Sequence, residues 1–289
     1  MKDSVVTAHD GLDLAVRDHG GDGPDVLFVH GAMRTLEDWA PVLGRLTGVR
    51  AVAMDLRYHG RSGVPASATT ADFVLDIATV VEQLDLSDPF VVGHSFGGVL
   101  ALEYAAANAQ CPGVMDIDGF DFRQRELYDE VDPAAADEFL RGFRFEAQPD
   151  AGDDGWLEEQ RAQLKQMADM FNVPDDVTAA AFDRAFVRAG AGWKRRPPNR
   201  FFDVVYAEDG IGDPLTPMRR IGGRVVFVAC RPPGDAGIFA QVRAGLERHI
   251  GAIAAARPNV RLETIDATHF VIVEKPDEIA SLISSLVHR

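Results

Sequence analysis

Positive charge is in short supply in this chain. Against 45 acidic residues it sets 29 lysines and arginines, a net charge of -16, and lysine occurs only as Lys2, Lys165, Lys194 and Lys275. Nucleic acid and anionic membranes are recognised through clustered basic side chains, so the balance argues against both as partners and leaves a small or neutral ligand as the expectation. Cysteine is scarcer still: Cys111 and Cys230 are the whole complement, without the spacing of a metal site. Both stand in or beside apolar runs and read as reduced thiols packed as small hydrophobes. No run of about 18 apolar residues is present to span a bilayer. The opening "MKDSVVTAHDGLDLAV" has no apolar core of a signal peptide, so a cytoplasmic location is expected. With 289 residues and 46% hydrophobic side chains, the chain has enough material for one sizeable core and an appended subdomain.

What is present alternates. Short valine-rich runs at 25–31, 49–56, 89–95, 113–119, 224–230 and 260–269 read as strands. Stretches at 69–86, 97–109, 237–256 and 276–289 carry apolar residues at helical spacing. Strands that are apolar throughout, separated by helices, predict an α/β fold with a mostly parallel, doubly wound sheet covered on both faces. Residues 122–221 interrupt the pattern. They contain no convincing strand and are broken by "QPDAGDDG", "NVPDD" and "KRRPPN", which predicts a helical cap subdomain inserted into a core domain of residues 1–121 and 222–289.

The stretch "FVVGHSFGGVLALEYAA" puts Ser95 between a strand and a helix, with Gly93, Gly97 and Gly98 around it. Glycine costs a helix about 1 kcal/mol against alanine. Its density here is explained by a tight strand-to-helix turn that holds a nucleophile outward and leaves no room for neighbouring Cβ atoms. A serine hydroxyl is nearly inert at neutral pH and needs a base. His269, placed at the end of the last strand, lies at the carboxyl edge of a parallel sheet, where ligand crevices form. His94 should point away from the serine, and His59, in "DLRYHGRSG", should organise its own loop. Donors for a developing oxyanion are expected from the backbone N–H of Phe96 and from the loop "HGAM", with Ala32 as the choice and Met33 as the reserve.

Taken together, "HGAM", "DLRYHGRSG", "GHSFGG", the inserted segment and "ATHFVIVEKPDEI" resemble the α/β-hydrolase superfamily from about Val26 to the C-terminus. The resemblance implies the α/β-hydrolase fold and a Ser95–His269–aspartate triad with no metal or organic cofactor. The acid is where the family pattern departs. After the strand 224–230, where most members carry it, stand Pro232 and Pro233. The choice is Asp118, which ends the strand 113–119, and the alternative acid is Asp235. Asp116 faces the other side of its strand. The pocket is expected to be lined by His30, Gly31, Met33 and Phe120, with Phe143 and Trp156 from an aromatic-rich cap. The run Lys194-Arg195-Arg196 reads as a solvated loop rather than as a contact for an anionic substrate.

These residues point to hydrolysis of an apolar small-molecule ester or lactone. The alternatives are C–C bond cleavage or formation, with Ser95 and His269 shuttling protons, and a ligand-binding receptor of the same fold. Scarce lysine beside abundant alanine and arginine hints at a GC-rich bacterial genome and a role in specialised metabolism. Monomer and homodimer are both compatible with the sequence.

Overall fold

The computed structural model describes residues 1–142, 147–171, 173–207 and 212–288. Its strands are β1 (Lys2–Thr7), β2 (Asp13–Gly20), β3 (Asp25–Val29), β4 (Arg50–Met54), β5 (Phe90–His94), β6 (Gly113–Ile117), β7 (Ala151–Gly152), β8 (Phe186–Ala189), β9 (Gly192–Arg195), β10 (Arg224–Cys230) and β11 (Val260–Ile265). Eight of them form one sheet in the order β1-β2-β4-β3-β5-β6-β10-β11. From β4 to β11 neighbouring strands run parallel, and only the β1–β2 hairpin and its contact with β4 are antiparallel. Strands β3, β5 and β6 are buried at every residue, as expected of strands covered on both faces.

Two apolar cores lie on the two faces. One takes Phe73, Ile77 and Val80 from the helix Thr70–Gln83, Leu100 from the helix Phe96–Ala107, and Val242, Leu246 and Ile250 from the helix Gly237–Ala256. The other takes Trp39, Val42, Ile279, Ile283 and Leu286, the last three from the helix Pro276–Val287. The helix Phe96–Ala107 is apolar on nearly every side because sheet, helices and inserted segment enclose it. Thr70–Gln83 starts where its sequence says it should: the Asp72 carboxylate accepts the Thr69 N–H at 2.7 Å, one arm of a capping box.

The chain moves from β3 outward to β4 on one side, then returns to β5 on the other. Connections that leave two adjacent parallel strands in opposite directions open a crevice at their carboxyl ends. The loop after β3 and the turn after β5 meet in that crevice.

The inserted segment differs from its expectation. It carries the helices Pro133–Gly142, Asp154–Met170, Asp175–Ala185 and Arg200–Ala207, but also a three-stranded antiparallel sheet, β7-β9-β8. Two to four residues per strand and a tight turn through Gly190 (φ +62°) leave no run long enough to show alternation. Two buried groups fasten the segment to the core. Arg184 donates to Asp55 at 2.6 Å, and Phe201 packs edge-on against His59 with ring centroids 4.5 Å apart.

The glycines before and after Ser95 are dictated by backbone proximity. A Cβ on Gly93 would stand 2.0 Å from the Gly97 carbonyl oxygen, and one on Gly97 would stand 2.3 Å from that of Val29. Neither neighbour is a side chain that can swing away. Gly93→Ala is therefore expected to lower stability by about 1–3 kcal/mol or more through forced backbone shifts. Urea unfolding checks this, and an unchanged midpoint would contradict the close packing of β5 against the helix behind it.

Candidate active site

Ser95 has φ +56° and ψ -126°, a left-handed backbone that a residue with a Cβ adopts only under constraint. The Ser95 N–H donates to the Ile117 carbonyl at 2.8 Å, and Ser95's own carbonyl accepts the Gly98 N–H at 2.8 Å. Both bonds fix the turn so that the side chain leaves the sheet edge.

The imidazole of His269 meets it there. Ser95 Oγ is 2.9 Å from His269 Nε2, and His269 Nδ1 is 2.7 Å from Asp118 Oδ2. Since a carboxylate only accepts, Nδ1 carries the proton and Nε2 offers its lone pair to the serine hydroxyl. His269 lies four residues beyond the end of β11, not within the strand: the ladder stops at Ile265 and a short loop carries the ring back over β5. His94 holds that loop, its Nε2–H donating to the His269 carbonyl at 2.7 Å with the two rings 4.8 Å apart. It points away from the serine hydroxyl but not away from the site.

Asp118 follows β6 directly, with φ +56°. Its N–H donates to Val228 at 2.8 Å, and its Oδ1 accepts the Cys230 N–H at 3.0 Å. Burial pushes this carboxyl toward its protonated form, but His269, the Cys230 amide and the Arg243 guanidinium 3.5 Å away together hold it below the ordinary value. Asp235, the other carboxylate left open by sequence, is not at the imidazole. It accepts from Arg243 Nε at 3.1 Å, and so stands behind Asp118 with an arginine between them. Asp116 sits beneath the turn, accepting the Gly119 N–H at 2.8 Å, and burial raises its carboxyl well above the usual range.

Among the described residues the backbone N–H groups of Ala32 and Phe96 have no protein acceptor, whereas the Met33 N–H is taken by His59 Nε2 at 3.2 Å. His59 Nδ1–H donates to the Arg57 carbonyl at 2.9 Å, so this ring organises the loop through both nitrogens. Met33 is thereby removed as a backbone donor. Its side chain lines the cavity.

That cavity, about 450 Å³, is mostly apolar. Its floor is Gly31, Met33, Ser95 and His269. One wall is a single face of the helix Asp154–Met170, with Gln160, Gln163, Leu164 and Met167 at helical spacing, and Phe186 and Phe270 close it. Of the residues expected to line it, His30 does not. Its ring is fully buried, donating from Nδ1 to the Gly31 carbonyl at 2.7 Å and accepting the Leu56 N–H at 3.0 Å, so it braces the loop from below. Trp156 is also off the cavity, because the first turn of its helix lays it on Gly152; it backs Phe186 at 5.7 Å between centroids. Phe120 lines a separate space of about 130 Å³ that also touches Ser95. Phe143 lies outside the described residues. Sequence reasoning missed the helical face at 160–167, whose spacing was visible but whose glutamines disguised it, and also Phe270, beside the histidine. Arg195 and Arg196, read as solvated, line the cavity as well.

Among the described residues no group of three or more His, Cys, Asp or Glu side chains is placed to hold a metal ion, and no helix is long and apolar enough to cross a membrane. The two cysteines are free and buried, and burial raises the Cys111 thiol to about 11.

A doubly wound sheet with a half-buried serine on a strained turn, an imidazole against it and an inserted segment over the crevice defines an enzyme of the hydrolase class. The chain belongs to the alpha/beta hydrolase family, whose model matches residues 26–282. It is 27% identical over 281 residues to lipase LipV of Mycobacterium tuberculosis, covering 95% of this chain and 97% of the lipase. Over 105 residues it is 40% identical to the bifunctional esterase/perhydrolase DCH of Acinetobacter calcoaceticus, which is 35% of this chain and 38% of that enzyme. The solved structure of E-2-(acetamidomethylene)succinate hydrolase superposes with a TM-score of 0.73 at 21% identity, over 100% of this chain and 99% of that one, a likeness of fold.

The three histidines buried around the site give it a pH signature. Burial holds the rings of His30, His59 and His94 at about 3, against an ordinary value of 6.5. Each is neutral in the folded chain and takes up a proton on unfolding below about pH 6.5, so its contribution to stability is intact above that pH and is lost as the pH falls toward 3. Against His59→Gln, the native chain's stability should shrink by about 1.4 kcal/mol for each pH unit between 6.5 and 4. Paired urea titrations across that range measure the difference, and a constant gap would contradict a neutral buried ring.

Proposed function

We propose that the protein is a cofactor-independent serine esterase for small, largely apolar esters or lactones. In this reading Ser95 is the nucleophile, His269 the base, Asp118 the acid that orients it, and the amides of Ala32 and Phe96 the oxyanion donors. The continuous hydrogen-bonded chain from Asp118 through His269 to Ser95, opening on a mostly apolar cavity, carries the reading.

As His269 Nε2 takes the hydroxyl proton, Ser95 Oγ bonds to the substrate carbonyl carbon. The negative charge that develops on the carbonyl oxygen is met by two amides that no described residue occupies, so they are available to stabilise it. Collapse breaks the bond to the alcohol, which leaves with the proton from His269. Water then attacks the acyl-enzyme, gives a proton to the same nitrogen and releases the acid with Ser95 restored. Asp118 stays ionised and stabilises the imidazolium at each stage. The inserted segment acts as the cap, its helical face at 160–167 supplying the surface that selects small apolar groups. Lipase and esterase activities in the relatives' names fit this chemistry.

Ser95→Ala is expected to lower ester turnover by at least about a thousandfold, and a fluorophosphonate should label Ser95 of the native chain. Labelling without turnover of any ester would instead favour proton shuttling in C–C chemistry. Asp118→Asn should cost on the order of 10³–10⁴ in kcat, since a neutral amide supports the wrong tautomer. Asp235→Asn should cost less than about tenfold, its side chain being one arginine removed from the imidazole. Steady-state kinetics on both variants decides the acid, and equal losses would refute the assignment.

A further inference from the structure

The cavity holds three arginines, and they are not equivalent. Arg34 is paired with Asp38 at 2.5 and 2.9 Å, and Arg195 with Asp150 at 3.1 Å. Among the described residues Arg196 has no such partner. Its Nη1 donates to the carbonyls of Gly60 at 3.2 Å and Ser62 at 2.7 Å, and among the described residues no carboxylate lies within 4.0 Å of its guanidinium. Asp55, whose field reaches it, is occupied by Arg184 at 2.6 Å and by the N–H groups of Leu36 and Arg61.

Carboxylates are abundant in a chain with 45 acidic residues, so a cavity-facing arginine without a carboxylate partner among the described residues stands against the odds of composition. A half-buried cation that has given up part of its hydration for two neutral carbonyls is poorly compensated, and burial accordingly depresses its basicity. The carbonyls of the loop after β4 hold one edge of the guanidinium. Its Nε and Nη2 donors, for which the described residues provide no acceptor, remain for an anion, in the planar fork that suits a carboxylate.

We propose that Arg196 is the anion-binding residue of the substrate site, and that the preferred substrates are esters or lactones bearing a carboxylate remote from the reacting carbonyl. Their apolar body lies along Met33, Leu164, Met167, Phe186 and Phe270, and their charged end meets Arg196. The inference rests on the esterase reading of Ser95 and narrows its substrate class from apolar to amphipathic.

The test compares two esters with the same six-carbon acyl chain, 4-nitrophenyl hexanoate and the mono-4-nitrophenyl ester of adipic acid, on the native chain, Arg196→Met and Arg196→Lys. The ratio of kcat/KM, charged over neutral, should fall at least about tenfold in Arg196→Met, chiefly through KM, and recover in part in Arg196→Lys. An arginine that merely ties down the loop at Gly60 and Ser62 would alter both substrates alike and leave the ratio fixed, which overturns the anion site while the esterase reading stands. Turnover of neither ester by the native chain overturns both.

Discussion

Everything at this site depends on one residue being held in a backbone conformation it would not choose. Ser95 sits in left-handed space because β5 ends and a helix begins without a connecting loop, and because Gly93 and Gly97 let the two backbones close to a distance no Cβ would permit. The strain is met by packing on all sides. The helix behind the serine is enclosed, the Ile117 carbonyl takes the serine amide, and Gly31 lets the loop after β3 approach until a Cβ there would lie 3.0 Å from that of Ser95. A hydroxyl thus rises at a fixed point on the sheet edge, and its geometry is a property of the core rather than of a flexible loop.

A second constraint aligns the other parts with that point. Asp55, at the end of β4, accepts the amide of Leu36, the amide of Arg61 and the guanidinium of Arg184. One buried carboxylate therefore joins the loop that presents Ala32, the loop that presents His59, and the inserted segment whose helices wall the cavity. A Cβ on Gly60 would fall 2.1 Å from this carboxylate, which accounts for a left-handed glycine in "DLRYHGRSG". Removing either partner of such a buried pair leaves an uncompensated charge, so changes at Asp55 or Arg184 would disturb floor and wall together.

What could be read from sequence followed from local geometry, and what could not depended on distant meetings. The alternation of strands and helices, the turn at Ser95 and the position of His269 are encoded within a few neighbouring residues each. Which aspartate reaches the imidazole depends on where β6 lies relative to β10, and Asp118 arrives through a left-handed twist just past its strand that no spacing announces. The brief strands around Gly190 were hidden by their own shortness. Arg196 looked like part of a solvated basic run because charge beside proline is usually exposed, and only the fold of β8 and β9 turns it toward the cavity. His30 misled for the opposite reason: its position next to the loop that carries Ala32 suggested contact with ligand, while both ring nitrogens are spent on the backbone.

The two aspartates that sequence set against each other are parts of one arrangement. Asp118 is almost wholly buried, and a carboxylate there would protonate if burial alone acted on it. It is opposed by an amide, an imidazole and Arg243, and Arg243 is itself held by Asp235, so that the carboxylate on the prolines' loop restrains the arginine that faces the inner one. The sequence Asp235–Arg243–Asp118–His269 alternates in sign once the imidazole is protonated, the state through which the proposed mechanism passes. In a chain of net charge -16 the field of the surface alone would not single out this site. Local alternation does, because Asp118 is almost wholly buried and its pairings with His269 and Arg243 are screened less than charge at the open surface.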